Sequence, residues 1–546
     1  MSEHTYDYVI VGGGTAGCVL ASRLTADPSV SVLMLEAGPD YRGLPIRIPA
    51  AVKALYRAGT YHWGFQSRPE AGAGDRPMPY KLGRILGGSS SINGMVWVRG
   101  NPADFDSWAA AGCTGWSWSD VEPIYRRIEA FEDPSDRAMG HDGPIGITRG
   151  DTVEAPLNRA FLESAAQAGH PINPNHNGLD QLGFCAMHRN TRGGVRSDVY
   201  DGYLKPARAR ANLTIRTGAV VERIVIENGI ATGVTFAGPE GSLQVNARRE
   251  VLLCAGGLAS PQLLELSGIG EPKHLAGLGI DLVRASPGVG TNLHTHPTVK
   301  LVHACKLPVG IDRWTRFPGK QMAGLQWLLQ HKGPAATNHM EVGAFLKSQP
   351  DADRPDMQLT MVPIAQGGTY GPTSQQGFEI YIELIGVRSR GEVHAASGDP
   401  RQPPAFTFNF LQDPHDMEIL RRGTQVIRDL VAQPAFAPYC GEELVPGAHV
   451  VDSQDIDAWL RSTVSVTHHI VGACRMGPSS DPLAVVAPDL RVHGVERLRV
   501  VDASIMPTVT SGNTHAPVIM IAERAADLLQ GRSSKSPSCR SQHDAA

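Results

Sequence analysis

The sequence predicts an α/β fold, α+β overall, with a mostly parallel sheet in one domain and an antiparallel sheet in a second. Three observations predict it. An apolar run, Tyr8-Val9-Ile10-Val11, ends in glycines and opens directly into a helical pattern. Similar apolar runs recur at 30–35, 251–254 and 498–501, far apart in the chain. Between residues 300 and 461 this texture gives way to alternation such as Phe378-Glu379-Ile380-Tyr381-Ile382-Glu383-Leu384, the mark of half-buried antiparallel strands.

The first element organises the rest. Gly12, Gly14 and Gly17, with Thr15 and Ala16 among them, stand in G-x-G-x-x-G register between a strand and a helix. Gly12 allows the tight turn, Gly14 lets a pyrophosphate approach the backbone, and Gly17 lets the helix pack close to the strands. The helix N-terminus then offers free N–H groups to the phosphates. A second apolar strand delivers Glu36, a carboxylate placed to accept hydrogen bonds from both hydroxyls of an adenosine ribose. No Arg follows it to receive a 2′-phosphate, which argues against NADP. Together these features read as a Rossmann-like dinucleotide site and not as an ordinary glycine turn. The motif alone leaves FAD and NAD both open.

The chain has 546 residues, more than one ordinary domain, and is 42% hydrophobic and 19% charged. A net charge of −4 gives no reason to expect a nucleic-acid partner. No charge-free apolar run reaches the 18 or so residues of a spanning helix, so no membrane span is expected. The first strand begins within a few residues, leaving no room for a signal peptide. The eight cysteines form no C-x-x-C pair, which removes a redox-disulfide reading and the usual zinc spacing. A cytoplasmic location, or one peripheral to the inner membrane, is expected.

Past Glu36 the chain reads as irregular to about residue 80. A Gly/Ser loop follows at 83–95, including Gly87, Ser91, Asn93, Gly94 and Met95, then Val96-Trp97-Val98. Its small residues let backbone amides approach an anion or a flat ring, and its hydroxyls can bond phosphate oxygens. Helical spacing covers 119–131, and helical pieces with Asn/Gly/Pro turns cover 151–210. Strands are expected at 213–215, 220–226 and 233–236. The strand 251–254 ends in Gly256-Gly257 and leads to a helix expected to start at Pro261. A helix at 416–431 covers the antiparallel strands, and the last strand, 498–501, leads to a helix expected at 517–529. The tail 534–546 reads as disordered.

At this point the chain resembles the glucose–methanol–choline (GMC) oxidoreductases over nearly its whole length. The resemblance rests on the first glycine motif with Glu36, the 83–95 loop, Gly257-Leu258-Ala259-Ser260-Pro261-Gln262-Leu263-Leu264, and Pro287-Gly288-Val289-Gly290-Thr291-Asn292-Leu293. It continues in His469-Ile470-Val471-Gly472-Ala473-Cys474-Arg475-Met476-Gly477 and Val501-Asp502-Ala503-Ser504. It implies an FAD domain assembled from 1–155, 212–300 and 462–533, and a substrate domain from 156–211 and 301–461. The FAD contacts it implies are Gly12, Gly14, Thr15, Ala16, Gly17, Glu36, Gly87, Ser91, Asn93, Gly94, Met95, Val96, Val221, Asp502, Ala503, Asn513 and Thr514. Some relatives carry a histidine that bonds covalently to the flavin where this chain has Ile92, so non-covalent FAD is expected. The pair His294-Thr295-His296 hints at a metal, but without an assignable third ligand no metal site is expected.

Oxidising an alcohol requires a base for the hydroxyl proton and an acceptor for the hydride. The resemblance places His469 as the active-site histidine, and histidine suits the base. His468 is expected to point away on an extended backbone. Counting back from Pro517 gives Asn513 as its partner, an amide donor to the alcohol oxygen, with His515 as runner-up. The positive end of the last helix would favour an anionic reduced flavin. Asp502 reads equally well as a ribityl contact and as a turn cap. The expected reaction is FAD-dependent oxidation of a primary alcohol to an aldehyde, in the manner of choline-dehydrogenase-like enzymes, with quinones or dyes outpacing O2 as acceptor. The alternatives are an alcohol oxidase, a hydroxynitrile-lyase-type member that keeps FAD without redox use, and a flavin-binding protein that has lost catalysis.

Overall fold

The first apolar run is strand β1 (Thr5–Val11), with Val9 and Ile10 fully buried. In the computed structural model the described residues are 5–151, 155–238, 241–367, 371–372 and 376–532, so the tail 534–546 lies outside them. Helix α1 (Thr15–Leu24) returns the chain to β2 (Val32–Glu36), which lies parallel to β1 on one side. On the other side lies the long strand Gly241–Leu253, also parallel. Strands buried on both faces read as continuous apolar runs, which is why these segments stood out in the sequence.

The seven-stranded sheet runs Leu213–Thr217, β2, β1, Gly241–Leu253, Ile230–Gly238, Val221–Glu227. Leu498–Val500 pairs with the C-terminal part of Gly241–Leu253, while Ile230–Gly238 pairs antiparallel with its N-terminal part. One long strand thus recruits both the meander and the distant C-terminal segment into one layer. The ends of β1, β2, Gly241–Leu253 and Leu498–Val500 open on the same edge, where ligands bind in open parallel sheets.

The second sheet also has seven strands, in the order Cys440–Val445, Pro297–Cys305, Gly377–Leu384, Met357–Val362, Val342–Leu346, Gly183–Ala186, with Ser465–Val466 against Pro297–Cys305. All its pairings are antiparallel. Helix Pro414–Val431 covers one face so closely that a Cβ on Gly423 would lie 2.8 Å from the Ile382 side chain. The other face carries Thr298, Glu383 and Gln358 in one cross-strand row, and Lys300, Tyr381 and Thr360 in the next. That polar face looks toward the first domain.

Several expectations shift. The stretch 37–80 holds two short helices, Leu44–Arg47 and Val52–Ala58. The helix expected from Pro261 begins at Ala259, and the last helix begins at His515 rather than Pro517. Proline is tolerated anywhere in a first turn, where its missing N–H has no partner to lose, so it marks a helix start only to within a turn. The domain boundary at 300 cuts the strand Pro297–Cys305, and helical residues 200–207 pack on α1 although they were expected in the second domain. No helix among the described residues is long and apolar enough to cross a membrane.

Candidate active site

A cavity runs from the N-terminus of α1 to the polar face of the second sheet. At one end it is lined by Gly14, Thr15 and Ala16 together with Gly88, Ser89 and Ser90. The helix has no side-chain cap and no acidic residue in its first turn, so its N–H groups remain available to an anion. Gly17 packs so closely that a Cβ would lie 2.0 Å from the Gly12 carbonyl oxygen. Gly88 has φ +55°, and a Cβ there would lie 2.7 Å from the Gly14 Cα. Two stretches of bare backbone therefore face each other, tied by the Gly87 N–H donating to the Gly13 carbonyl at 2.8 Å. This cradle, which a single methyl would fill, fits the pyrophosphate of a dinucleotide.

Glu36 lies behind the cradle, 6% exposed. Its carboxylate accepts the Gly13 N–H at 2.8 Å and the Gly38 N–H at 2.7 Å. Burial nevertheless pushes its carboxyl up to about 7. Gly12, Gly17, Glu36, Gly87, Ser91 and Val221 do not line the cavity themselves. Ser91 is committed elsewhere: its single hydroxyl proton has Leu86 O and Asp198 as acceptors within reach, and its oxygen accepts from Arg42. The Ser90 hydroxyl donates to Gly87 O and the Ser89 hydroxyl accepts the Gly83 N–H, which leaves Ser89 its own proton to donate. Val221 is a buried strand residue paired with Phe236.

Asn93, Gly94, Met95 and Val96 line the cavity beside Ile92, as do Asp502 and Ala503. The Asp502 carboxylate is saturated by protein donors: Ser504 N–H and hydroxyl on one oxygen, Gly256 N–H and the Ser260 hydroxyl on the other. Of the two readings of Asp502, the turn cap is therefore filled.

The reactive end is built around His469. Its Nε2 lies 3.1 Å from the Asn513 amide nitrogen, while the Asn513 amide oxygen accepts from Gln358 at 3.3 Å. That fixes the amide with its NH2 toward the imidazole, so His469 Nε2 is the acceptor. His469 Nδ1 lies 3.0 Å from His296 Nδ1 and, carrying the remaining proton, donates to it. Burial holds His469 well below the ordinary histidine range, aided by the neighbouring imidazoles, and holds His296 down to about 3. Both rings are neutral at physiological pH.

His468 has φ +67°, a left-handed turn rather than the expected extended backbone. The turn sends its ring against Tyr56 and Tyr80, away from Asn513. His515 opens the last helix with its ring edge-on to Trp97, and burial lowers it to about 4. Thr514 is the helix N-cap without a side-chain cap bond, so a second helix N-terminus also faces the cavity.

Three residues at this end were not assigned roles from the sequence. From the sequence His296 reads only as half of a metal pair. The two histidines serve different elements: His294 Nε2 accepts the Val509 N–H at 2.9 Å while its Nδ1–H donates to Asn292 O at 2.6 Å. Gln358 orients Asn513, and Glu383 lines the cavity with Oε2 lacking a hydrogen-bond partner among the described residues. Strand alternation places Glu379, Tyr381 and Glu383 on one face, but only the sheet order shows that this face meets His469.

The GMC oxidoreductase family profiles match residues 6–298 and 387–522. The chain is 40% identical over 536 residues to oxygen-dependent choline dehydrogenase of Photobacterium profundum, covering 98% of this chain and 94% of that one. It is 40% identical over 540 residues to mitochondrial choline dehydrogenase of Homo sapiens, covering 97% and 91%. Among solved structures, pyridoxine 4-oxidase from Mesorbium loti superposes with a TM-score of 0.87 at 32% identity, covering 97% and 100%. A formate oxidase variant from Aspergillus oryzae RIB40, studied for its effect on FAD modification, superposes at 0.90 with 28% identity, covering 97% and 99%.

Proposed function

We propose that this chain, which belongs to the GMC oxidoreductase family and is an oxidoreductase acting on CH–OH groups, oxidises a primary alcohol to an aldehyde with non-covalent FAD. The observation that carries this reading is the neutral His469 Nε2, held 3.1 Å from the Asn513 amide at the sheet end of the cavity. FAD, when bound, supplies a hydride acceptor at N5. The backbone of Gly14, Thr15, Ala16 and Gly88 would hold its pyrophosphate, and Asn93, Gly94, Met95, Val96, Ala503 and Thr514 the rest; Glu36, behind the cradle and bonded to the Gly13 N–H, would receive the adenosine ribose. Ile92 has no nucleophile to offer the flavin, which supports the non-covalent reading.

His469 takes the hydroxyl proton at Nε2, and Asn513 donates to the alcohol oxygen as negative charge develops there. His296 accepts the Nδ1–H of His469, which fixes the tautomer that leaves Nε2 unprotonated. The Asn513 amide, held in place by Gln358, meets the developing charge as a pre-oriented donor.

The substrate class is an alcohol bearing a cationic group, of the kind choline represents. The named relatives support this, as does Glu383, whose carboxyl burial pushes up to about 7 with no counter-charge contributing. A cation beside it would restore the ionised form. The bacterial relative is named for oxygen dependence, so oxygen stands beside quinones and dyes as acceptor, with dyes expected to be faster. The test is anaerobic mixing of the yellow protein with a panel of alcohols. Choline-like alcohols should bleach the flavin, and acid precipitation should leave all the chromophore in solution. A flavin that no alcohol bleaches contradicts the reaction, and chromophore retained in the pellet contradicts the non-covalent mode.

A further inference from the structure

Outside the cavity, Glu265, His274 and His394 converge from three separate segments. Glu265 lies in helix Ala259–Leu266, His274 in Pro272–Gly277, and His394 ends strand Glu392–His394, 129 residues from Glu265. None of the three lines the flavin-type cavity. Glu265 is fully buried, and a buried carboxylate is costly unless it is paired and hydrogen-bonded. One oxygen accepts the Ala395 N–H at 2.6 Å and the other faces His394 Nδ1 at 2.7 Å.

A proton shared by Glu265 and His394 explains that much. It does not explain His274. The Nε2 of His274 lies 3.6 Å from Glu265 Oε2, too far for a hydrogen bond, and it is buried with no partner among the described residues. The rings of His274 and His394 are 5.0 Å apart, inclined at 49°. One ligand atom from each of the three residues lies within 4.8 Å of the others. Ligands on one zinc ion, with bonds of about 2.0–2.2 Å, stand roughly 3–3.5 Å apart, so side-chain rotation alone closes the set.

We propose that Glu265, His274 and His394 form a binding site for one divalent transition-metal cation of the zinc class. Two imidazole nitrogens with one carboxylate oxygen suit Zn2+ and its neighbours, whereas Mg2+ and Ca2+ favour all-oxygen sets. The side chains of His274 and His394 are 30% and 21% exposed, which gives the ion an entry path and leaves a further position for water. Binding replaces the proton between His394 Nδ1 and Glu265 Oε1 by the cation; that proton leaves to solvent and no electron moves. The ion would join the helix carrying Ser260, a donor to Asp502, to the hairpin strand at 392–394. With His274 in Pro272–Gly277, its role is to fasten three segments, away from the reacting alcohol.

The experiment uses the purified flavoprotein, treated with EDTA, desalted and titrated with Co2+ and then Zn2+. One equivalent of Co2+ should give visible bands beyond the flavin absorption, displaced by one equivalent of Zn2+, with a raised thermal midpoint. His274→Ala, a change at a partly exposed ring, should weaken Zn2+ binding by at least about 100-fold while anaerobic flavin reduction stays within twofold of the parent rate. His394→Ala should do the same if it folds. No binding below about 0.1 mM Zn2+, or equal affinity in His274→Ala, would overturn the proposal. The latter result would move the ion elsewhere, and the flavin-reduction readout would show whether it sits at His296 and His469.

Discussion

His469 can act as a base only because two neighbours settle where its proton is. Asn513, turned by Gln358, claims Nε2 as acceptor, and His296 receives the Nδ1 proton. Residue identity was legible here to different degrees. Asn513 could be counted from Pro517, and His469 stood in a recognisable motif. His296 lies 173 residues from His469, and the two are brought together by the pairing of Pro297–Cys305 with Ser465–Val466 and by the bridge between His294 and Val471. Glu383 was invisible as a site residue for the same reason. Its charge supports a specific expectation. Glu383→Gln keeps the shape and removes the carboxylate, so KM for a choline-like cationic alcohol should rise about 10–100-fold, with little change for a neutral alcohol of similar size. Steady-state kinetics on the two substrates check this; equal shifts in both would remove Glu383 from recognition.

At the scale of elements, the cavity is made where backbones meet without side chains. The turn into α1 was legible because glycine spacing reports backbone geometry directly. That the 83–95 loop packs on it was not, since the contact is between Gly14 and Gly88, in different motifs. Gly88 and Gly59 both have left-handed φ, +55° and +71°, but a Cβ on Gly59 would meet nothing within 4 Å. Alanine should therefore cost about 1–2 kcal/mol of backbone strain at either site. Only Gly88→Ala also drives a methyl into the cradle, so it should lower FAD affinity by more than tenfold while Gly59→Ala leaves it unchanged. Flavin titration of the two apo-proteins decides, and equal affinities would mean the cradle does not hold the cofactor.

Over the whole molecule, the fold holds several imidazoles below their ordinary titration range. Burial lowers His176, His339, His468 and His515 to about 4, and His294 and His296 to about 3. Their ordinary value near 6.5 returns on unfolding, so between about 6.5 and 3–4 the unfolded chain binds more protons and stability falls as pH falls. Glu36 and Glu383, raised to about 7, act in the opposite sense: their contribution is present below about 4.5 and is lost as pH rises toward 7. His170, His188, His303 and His469 are lowered as well, and Asp104, Asp201 and Asp312 are raised, so ten imidazoles stand against five carboxyls and the acid loss dominates, at up to about 1.4 kcal/mol per pH unit for each such histidine. Urea unfolding followed from pH 7 to pH 4.5 should show a steadily falling midpoint. A flat profile, or one that rises on acidification, would show that these rings are not buried neutral.

The fold class was legible because its parallel strands are apolar throughout and its antiparallel strands alternate, a difference of period and burial that any single sequence carries. The order of those strands was not, because the 13-residue strand Gly241–Leu253 pairs with partners hundreds of residues apart. Those long-range pairings are what turn separate motifs into one reactive site, and the site's claim rests on His469. The most direct measurement is the anaerobic rate of flavin reduction by alcohol, which excludes reoxidation, in His469→Ala, His468→Ala and His515→Ala. Loss of the general base should slow the His469→Ala step by about 10²–10⁴-fold, roughly 3–5 kcal/mol of barrier, while the other two stay within about tenfold of the parent. A mild His469→Ala beside a crippled His468→Ala or His515→Ala would assign the base to the other histidine and contradict the account.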